Sequence, residues 1–372
     1  MSFSHPINQM MEQAIERGVF PAASLLVGHH GDILHEGNYG EARGGVYFDV
    51  ASLTKAVSTT TLMMQLVQED LLHLEDTLQQ WLPNATAPQH KEITLTHLLS
   101  HTSGLPAWHP FYRELPLDQV GTPEGKQHIV SACLEEPIIS KPGSQCTYSD
   151  LGFILLGEIV EQAGYASLDA LFQNRIARPL EMKDTFFMHN VGLIPKEERS
   201  MVHSPWSIVH QKRFAPTEDC PWRKHVIQGE VHDPNAYAMG GVAGHAGIFS
   251  TTEDLHRFIK TMINCYHGKS DWIDPKIVRQ FIDFNINTLT HEHMGTYVLG
   301  WDTPTFGQSS AGRYFSPHSV GHLGYTGCSM WIDLDKDFWA ILLSNRIHPD
   351  ATNEKIKAFR PRIHNLICKT FM

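Results

Sequence analysis

The tetrapeptide Ser52-Leu53-Thr54-Lys55 is the only S-x-x-K in the chain, and its residue types suggest nucleophilic catalysis. It opens a segment with helical spacing, and residues three apart on a helix share one face, so the Ser52 hydroxyl and the Lys55 amine can touch. A buried amine near a helix N-terminus has a lowered pKa and can accept the serine proton. The Ser52 N–H would supply half of an oxyanion hole. Taken alone, the pattern also fits an N-cap serine followed by an exposed lysine.

Other catalytic chemistries find little support in the sequence. There is no G-x-S-x-G elbow, Walker A loop or G-x-G-x-x-G phosphate cradle, which argues against an α/β-hydrolase and against nucleotide binding. The only tight histidine and acid cluster is His291-Glu292-His293; with 24 histidines present, a solvated loop explains it better than a metal site. We therefore predict no metal or organic cofactor. The cysteines form no C-x-x-C pair, which favours free buried thiols: Cys133, Cys146, Cys220, Cys265, Cys328 and Cys368.

Composition and charge limit the partners. The 372 residues are 42% hydrophobic, enough to bury a large core. Lys and Arg number 29 against 40 Asp and Glu, and the resulting net charge of −11 disfavours nucleic acid and anionic membranes as partners. No apolar stretch approaches the roughly 20 residues of a membrane span, and the start lacks a secretory pattern. We expect a cytoplasmic protein with a small-molecule substrate, or a periplasmic or secreted one if a signal has been removed; the oligomeric state is not predicted.

Hydrophobic periodicity predicts strands at both ends of the chain and helices between them. Asn8 to Arg17 has helical spacing, and the segment after it fits two strands around a turn at residues 30–32. Helices are predicted after Asp49, from Asp150 to Gln162 and from Thr252 to Tyr266. Residues 191–244, rich in Pro, Trp and His, are predicted as a long functional loop.

In the last third of the chain, the hydrophobic pattern predicts four strands and a closing helix from Asn353 to Lys369. The strand segments are YVLGW, VGHLGYTG, CSMWIDLD and FWAILLSN. The predicted fold class is α+β: an antiparallel sheet formed by the N- and C-terminal parts, flanked by helices, with a mainly helical inserted region. We place the sheet domain at residues 1–51 and 245–372 and the helical domain, with its long loops, at 52–244. The active site is expected at their junction.

Several segments together resemble the serine β-lactamase and penicillin-binding protein superfamily, in particular its class C-like branch, which includes esterases, D-aminopeptidases and muropeptide amidases. Their order and spacing agree over most of the chain. The segments are FPAASLLVGHHGDILHEGNYG at 20–40, SLTK at 52–55, ITLTHLLSHTSGLP at 93–106, KPGSQCTYSDLGFILLGEIVE at 141–161, GGVAGHAGIFSTTEDLHRF at 240–258 and VGHLGYTG at 320–327.

The resemblance implies roles for four residues. Ser52 would be the acylated nucleophile and Lys55 its partner in proton transfer. Tyr148 matches the tyrosine of the family's Y-x-N motif and would shuttle a proton to the leaving group, which requires a pKa lowered by cations such as Lys55. Asp150 stands where the family usually has Asn. Its charge would raise the Lys55 pKa unless it is offset, which leaves open which group is the base; Asp150 would alternatively cap the following helix.

The family's K-T-G motif is replaced here by His322-Leu323-Gly324. Gly324 would let substrate lie close to the strand, and the N–H of Tyr325 would be the second oxyanion donor. His322 would lose its charge near pH 6.5 and so act as a pH-dependent switch in substrate recognition, or it would be a plain structural histidine. The HTSGLP segment is interpreted as a structural helix stop without chemistry.

The segment Phe214 to Ser250 resembles penicillin-binding-protein-like hydrolases and N-acetylmuramyl-L-alanine amidases. It would place His232, Asp233 and His245 on loops facing the cleft, or these residues would only make loop hydrogen bonds. No class A glutamate for deacylation is visible.

The predicted function is a serine hydrolase that forms an acyl-serine intermediate on a small amide or ester, with a cell-wall muropeptide as the candidate substrate in an amidase-like or D,D-peptidase-like reaction. The first alternative is a carboxylesterase of the β-lactamase-like group. The second is a non-catalytic binding or scaffold protein that retains the fold. The presence of Ser52, Lys55, Tyr148 and His322 together argues against the loss of catalysis.

Overall fold

The computed structural model describes residues 5–190, 213–284, 296–305 and 307–372. Its strands are β1 (Ala22–His29), β2 (Asp32–Gly40), β3 (Phe48–Asp49), β4 (Phe186–Phe187), β5 (Asp219–Cys220), β6 (His225–Val226), β7 (Ile248–Ser250), β8 (Tyr297–Val298), β9 (Trp301–Asp302), β10 (Ser319–Leu323), β11 (Ser329–Asp333) and β12 (Phe338–Ser344). Its α-helices are α1 (His5–Glu16), α2 (Thr61–Gln68), α3 (Leu78–Trp81), α4 (Leu95–Leu99), α5 (Pro123–Glu135), α6 (Asp150–Gly164), α7 (Leu168–Phe172), α8 (Pro234–Ala238), α9 (Thr252–Tyr266), α10 (Pro275–Ile282) and α11 (Lys355–Phe371).

A seven-stranded antiparallel sheet with the order β2-β1-β12-β11-β10-β9-β8 joins the two ends of the chain. Strand β1 pairs with both β2 and β12, and Ala23 lies opposite Ser344. Successive side chains of β1 point to opposite faces, and both faces are covered: Leu25 packs in a cluster with residues of α1 and α11, and Leu26 packs in the larger core on the other side. The predicted α+β fold with a sheet built from both chain ends is confirmed.

The hairpin that opens the sheet turns where the sequence predicts it. His30 and Gly31 connect β1 to β2 with φ angles of 49° and 83°. Positive φ at both central residues is the requirement of a two-residue type I′ turn, whose twist matches that of the strands. The predicted turn at residues 30–32 is therefore confirmed.

Helix α6 is the centre of the helical part of the molecule. Ser149 caps it by accepting a hydrogen bond from the Gly152 N–H at 3.3 Å. A Cβ atom on Gly157 would lie 2.8 Å from the backbone nitrogen of Gly244, so glycine at both positions lets the helix approach the segment that carries His245. This close contact brings two distant parts of the chain to the site described below.

Two predicted elements differ from the structure. The segment YVLGW forms two strands, β8 and β9, on either side of a turn in which Gly300 has a φ of 81°, so the prediction of a single strand is wrong. The long loop predicted over residues 191–244 contains β5, β6 and helix α8, and its first part, 191–212, lies outside the described residues. The domain boundaries at 51/52 and 244/245 stay a prediction.

The cysteines are all free thiols; five are buried and Cys146 is half-buried. No group of three or more His, Cys, Asp or Glu side chains in the described ranges is arranged to hold a metal ion. The candidate cluster His291-Glu292-His293 lies outside those ranges. Among the helices that the structure describes, none is both long and apolar enough to cross a bilayer.

Candidate active site

Ser52 lies at the beginning of a helix, directly after the short strand β3. The preceding residue, Ala51, has a φ of 49°, in the left-handed region that costs a non-glycine residue energy. The buried carboxylate of Asp49 supports this turn: Oδ1 accepts a hydrogen bond from the Ala51 N–H at 2.8 Å, and Oδ2 accepts one from the His232 N–H at 2.7 Å. Asp49 therefore holds the backbone that presents Ser52, a role that sequence analysis did not predict.

Lys55 lies in a π-helical turn, Lys55–Thr60, and its side chain is completely buried. Its Nζ atom lies 3.0 Å from Ser52 Oγ, 2.6 Å from Asp150 Oδ1 and 3.0 Å from the carbonyl oxygen of His245. Burial lowers the pKa of Lys55, while the Asp150 carboxylate acts in the opposite direction. The expected contact between the Ser52 hydroxyl and the Lys55 amine is present, and the exposed-lysine alternative is wrong.

Ser149 caps α6 and Asp150 is the first residue of the helix, so the alternative role of Asp150 as the helix cap is wrong. Its carboxylate forms the 2.6 Å ion pair with Lys55. The carboxylate stabilises the charged form of Lys55, and burial opposes it. The protonation state of Lys55 therefore depends on Asp150, a residue 95 positions further along the chain.

Tyr148 lies beside the pair, with its ring centroid 5.0 Å from Lys55 Nζ. The expectation of a lowered tyrosine pKa is wrong: burial, reinforced by the Asp150 carboxylate, raises the pKa of Tyr148 well above its ordinary value, and the interaction with Ser52 opposes this only in part. Tyr148 is therefore a neutral phenol in the resting site and holds a proton that it can donate.

His101 in the HTSGLP segment fixes the position of Tyr148. Its carbonyl accepts a hydrogen bond from the Thr147 N–H at 2.8 Å, and its Nδ1 accepts one from the Ser149 N–H at 3.1 Å. The imidazole packs on the Tyr148 ring at 4.5 Å between centroids. These contacts agree with the structural interpretation of the segment, and they show that the element it supports is the tyrosine beside Ser52.

Two backbone N–H groups fit the predicted oxyanion hole. Within the described ranges, neither the N–H of Ser52 nor that of Tyr325 donates a hydrogen bond to another protein group. Both residues line the same cavity. Free donors held by rigid backbone stabilise a developing oxyanion because they need no reorganisation.

Gly324 lies between the strand and the helix that begins at Ser52. A Cβ atom here would lie 2.6 Å from the Val50 carbonyl oxygen and 3.1 Å from Cys328 Cβ. The atoms that exclude a side chain at residue 324 therefore belong to the protein. Close packing against the backbone before Ser52 is thus one reason for this glycine. Gly324 also lines the cavity, and the close approach of substrate to it stays a prediction.

His322 is buried and in contact with the site, but its ionisation differs from the prediction. Its Nδ1 lies 2.9 Å from the Leu323 carbonyl oxygen, so Nδ1 carries the proton and Nε2 is an acceptor, with no partner in the part of the chain that is described. Burial, together with the charge of Lys55, lowers the pKa of His322 to about 3. The predicted switch near pH 6.5 is wrong, because the ring is neutral throughout the physiological range.

We therefore expect His322 to add no pH dependence to substrate binding between pH 5 and 8. His322→Asn keeps a donor near the Leu323 carbonyl and cannot titrate. The ratio of KM for a carboxylate-bearing substrate between wild type and this variant should stay constant, within about twofold, over that range. A ratio that changes by about tenfold around pH 6.5 would show that the ring does titrate there.

The three residues predicted from the Phe214 to Ser250 segment all reach the site. His245 Nε2 lies 2.9 Å from Asp233 Oδ1, and His232 Nε2 lies 3.0 Å from Glu218 Oε2. Burial acts to raise the pKa of Asp233, but His245 and the Ala236 N–H outweigh it and hold the pKa below its ordinary value. The cleft wall thus carries two histidine–carboxylate pairs.

One cavity of about 690 Å³ contains these groups. Nine of the ten predicted site residues line it, and Lys55 lies beneath Ser52. The sequence analysis missed further lining side chains, since each lies outside the family motifs: Trp108, Tyr112, Glu218, Tyr297, Arg346 and Arg360.

The sheet with its helical insertion, and the serine, lysine and tyrosine gathered at the edge of β10, define a hydrolase of the β-lactamase type. The family model described as "Beta-lactamase" matches residues 7–360. The chain belongs to the beta-lactamase family, whose members are serine hydrolases acting on amides and esters, and it is an enzyme of this class.

Three proteins are similar to this chain in sequence or in fold. A "Putative D-alanyl-D-alanine carboxypeptidase" of Escherichia coli (strain K12) is 28% identical over 387 residues, covering 94% of this chain and 84% of that protein. EstCE1, described as a hydrolase with promiscuous acyltransferase activity, superposes with a TM-score of 0.69 at 19% identity, covering 99% and 98% of the two chains. The octameric penicillin-binding protein homologue from Pyrococcus abyssi superposes with a TM-score of 0.66 at 20% identity, covering 91% and 73%. The two solved structures share the fold.

Proposed function

We propose that this enzyme cleaves a small peptide-like amide or ester through an acyl intermediate on Ser52, in a D,D-peptidase-like reaction. The observation that carries the proposal is the buried Lys55 amine, 3.0 Å from the Ser52 hydroxyl and bonded to Asp150. A serine hydroxyl is a weak nucleophile unless a neighbouring base takes its proton. Lys55 in its amine form is that base.

In acylation, Ser52 Oγ bonds to the substrate carbonyl carbon while its proton passes to Lys55 Nζ. The carbonyl oxygen becomes an oxyanion and accepts hydrogen bonds from the Ser52 and Tyr325 N–H groups. The new ammonium is stabilised at once, because the Asp150 carboxylate lies 2.6 Å away. The ion pair with Asp150 therefore stabilises the positive charge that Lys55 gains when Ser52 attacks.

Collapse of this intermediate breaks the bond between the carbonyl carbon and the leaving group. The leaving nitrogen or oxygen takes the proton of the neutral Tyr148 phenol, and Tyr148 takes the proton held by Lys55, so the site regains its charge. Water then attacks the acyl-serine by the same path in reverse. The raised pKa of Tyr148 fits a proton donor and relay.

The substrate class rests on the cavity and on the curated relative. A volume of about 690 Å³ lies in the range that holds small peptide-sized ligands. The Escherichia coli relative is described as a "Putative D-alanyl-D-alanine carboxypeptidase", and we extend that substrate class to this chain, with cell-wall peptides as the candidate natural substrates. A turnover screen over muramyl-peptides, D-alanyl-D-alanine peptides and p-nitrophenyl esters tests the proposal. Turnover of the esters alone would replace it with a carboxylesterase.

β-Lactams should acylate Ser52 but turn over poorly. Asp150, Glu218 and Asp233 line the cavity, and each is paired with a cation or histidine in the described residues, so activation of the water falls to Tyr148 and Lys55. The opened β-lactam ring keeps its leaving amine attached to the acyl group, and this amine stays beside Tyr148, where the water has to enter. We expect a stable fluorescent-penicillin adduct that peptide mapping places on Ser52. Nitrocefin hydrolysis with kcat/KM of about 10⁴ M⁻¹s⁻¹ or above would contradict this.

A further inference from the structure

His232 lies in the wall of the active-site cavity and is linked to both of the predicted oxyanion donors. Its backbone N–H donates to Asp49 Oδ2 at 2.7 Å, and Asp49 Oδ1 accepts a hydrogen bond from the Ala51 N–H at 2.8 Å. Its ring stacks on the Tyr325 ring, with 5.6 Å between the centroids and 21° between the planes. One residue therefore supports the turn before Ser52 and also contacts the residue that carries the second donor.

Tyr325 lies in the connection between β10 and β11 and is 54% exposed. The carbonyls on either side of its free N–H are hydrogen-bonded, that of Gly324 to the Gly327 N–H at 3.0 Å and its own to Arg346 Nε at 2.8 Å. The stacked His232 ring is a further restraint on this residue. A misplacement of about 1 Å can cost about 100-fold in rate, so the precision of these restraints matters for an oxyanion donor.

The His232 ring is itself held in one orientation. Its Nε2 donates to Glu218 Oε2 at 3.0 Å, and its carbonyl accepts a hydrogen bond from Arg223 Nη2 at 3.0 Å. The bond from His232 is the largest of the effects that lower the pKa of Glu218, so this carboxylate is charged at neutral pH. A charged acceptor makes a stronger hydrogen bond than a neutral one. Glu218 therefore fixes the plane that stacks on Tyr325.

Asp49 connects the two halves of this arrangement. Its buried carboxylate accepts the N–H groups of Ala51 and His232, and its carbonyl accepts a hydrogen bond from Thr326 Oγ1 at 2.8 Å. Thr326 directly follows Tyr325. The backbone that presents the nucleophile, the His232 segment and the β10–β11 connection therefore meet at one residue.

We infer that His232 is a positioning residue of the oxyanion hole. Through Asp49 it supports the turn before Ser52, and through its ring it supports Tyr325. Glu218 keeps the ring in the stacked orientation. The inference rests on the proposed function, because an oxyanion hole has a task only if Ser52 forms a tetrahedral intermediate. It predicts that loss of the His232 ring slows those steps in which negative charge builds up on the substrate carbonyl oxygen.

A pair of p-nitrophenyl substrates isolates the oxyanion hole. O-(p-nitrophenyl) thionoacetate has sulfur in place of the carbonyl oxygen of p-nitrophenyl acetate, and both compounds have the same leaving group. Sulfur is a weaker hydrogen-bond acceptor than oxygen, so the thionoester gains little from the two N–H donors. The ratio of kcat/KM for the ester to kcat/KM for the thionoester therefore reports on the hole. A general loss of folded enzyme lowers both values alike and leaves the ratio unchanged.

His232→Ala should lower this ratio by about tenfold or more and change kcat/KM for the thionoester by less than about threefold. Tyr325→Ala removes the exposed partner ring and keeps the N–H, so it should fold and lower the ratio to a similar extent. The double variant should lose less than about threefold beyond either single variant, since both substitutions remove the same contact. Glu218→Gln keeps an acceptor for the His232 ring and should keep the ratio within about threefold of wild type.

His225→Ala is the matched control. In the described chain the exposed His225 ring contacts the Arg223 carbonyl at 3.0 Å and Glu230 at 3.2 Å. The substitution thus removes another histidine–glutamate pair from the segment that contains His232. The ratio should stay within about twofold of wild type, because an exposed pair contributes little.

A ratio that stays within about twofold of wild type in His232→Ala and in Tyr325→Ala would overturn the inference. So would equal losses on ester and thionoester, the result of a purely structural role. Both results leave the proposed function intact as long as fluorescent penicillin acylates Ser52. A wild-type enzyme that releases no p-nitrophenolate from the ester would also overturn the inference, and the proposed function would fall with it if Ser52 is not acylated either.

Discussion

Ser52→Ala should lower turnover of every substrate by on the order of 10³ or more, since only binding and the oxyanion donors would remain. Lys55 Nζ would keep its bonds to Asp150 and to the His245 carbonyl, so the fold should persist. The measurement is kcat on the best substrate of the screen, together with intact-protein mass spectrometry after fluorescent-penicillin treatment. The variant should show no adduct.

Ser58→Ala is the matched control for this experiment. Ser58 lies further along the helical segment that begins at Ser52, and its hydroxyl is buried with no hydrogen-bond partner in the part of the chain described. Its replacement should leave kcat within about twofold, because removing a buried hydroxyl that makes no hydrogen bond in the described residues breaks no interaction with the site. An Ser52→Ala enzyme that retains turnover, or an adduct at another serine, would remove Ser52 as the nucleophile.

Lys55→Met should lower kcat/KM by about 10² to 10⁴, the usual contribution of a positioned proton acceptor. The substitution also leaves Asp150 without its cation, so the double variant Lys55→Met with Asp150→Asn is made in parallel. Both enzymes should be inactive to a similar extent, as judged by acylation rates at saturating substrate. Recovery of the rate in the double variant would mean that Lys55 only neutralises Asp150.

Asp150→Asn alone serves as the second comparison. The Asp150 carboxylate favours the charged form of Lys55, so its removal lowers the lysine pKa further, and the reactive amine is then available at lower pH. The acid-side limb of the kcat/KM profile should move to lower pH by about one unit or more. A limb that stays in place or moves to higher pH would contradict the assignment of Lys55 as the base.

Local spacing was enough to predict several elements of the molecule. Ser52 and Lys55 are three residues apart, so a single helical turn determines their contact, and this contact is present. The turn at residues 30–32 and the start of helix α6 at Asp150 also follow from residues close in sequence. Such features depend on backbone preferences that short segments carry with them.

Resemblance extended the prediction to residues far apart in the chain. Tyr148, His322 and His245 were named from motifs, and all three lie around the cavity that contains Ser52. The protonation states could not be obtained in this way. The pKa of Tyr148 is raised and that of His322 is lowered to about 3, because both depend mainly on burial, which no local pattern reports.

The amino-acid sequence by itself determined the contact between Ser52 and Lys55, the α+β fold class with a sheet built from both chain ends, and the family to which the chain belongs. Only the tertiary structure decided which groups surround Ser52 and Lys55. Lys55 bonds to Asp150, 95 residues away in the sequence, and to the His245 carbonyl, 190 residues away. The same holds for Arg346 and Arg360, which belong to no motif and line the cavity through hydrogen bonds to the backbone that connects β10 to β11. Coulomb interaction and desolvation act through distances in space, and separation along the chain does not set those distances.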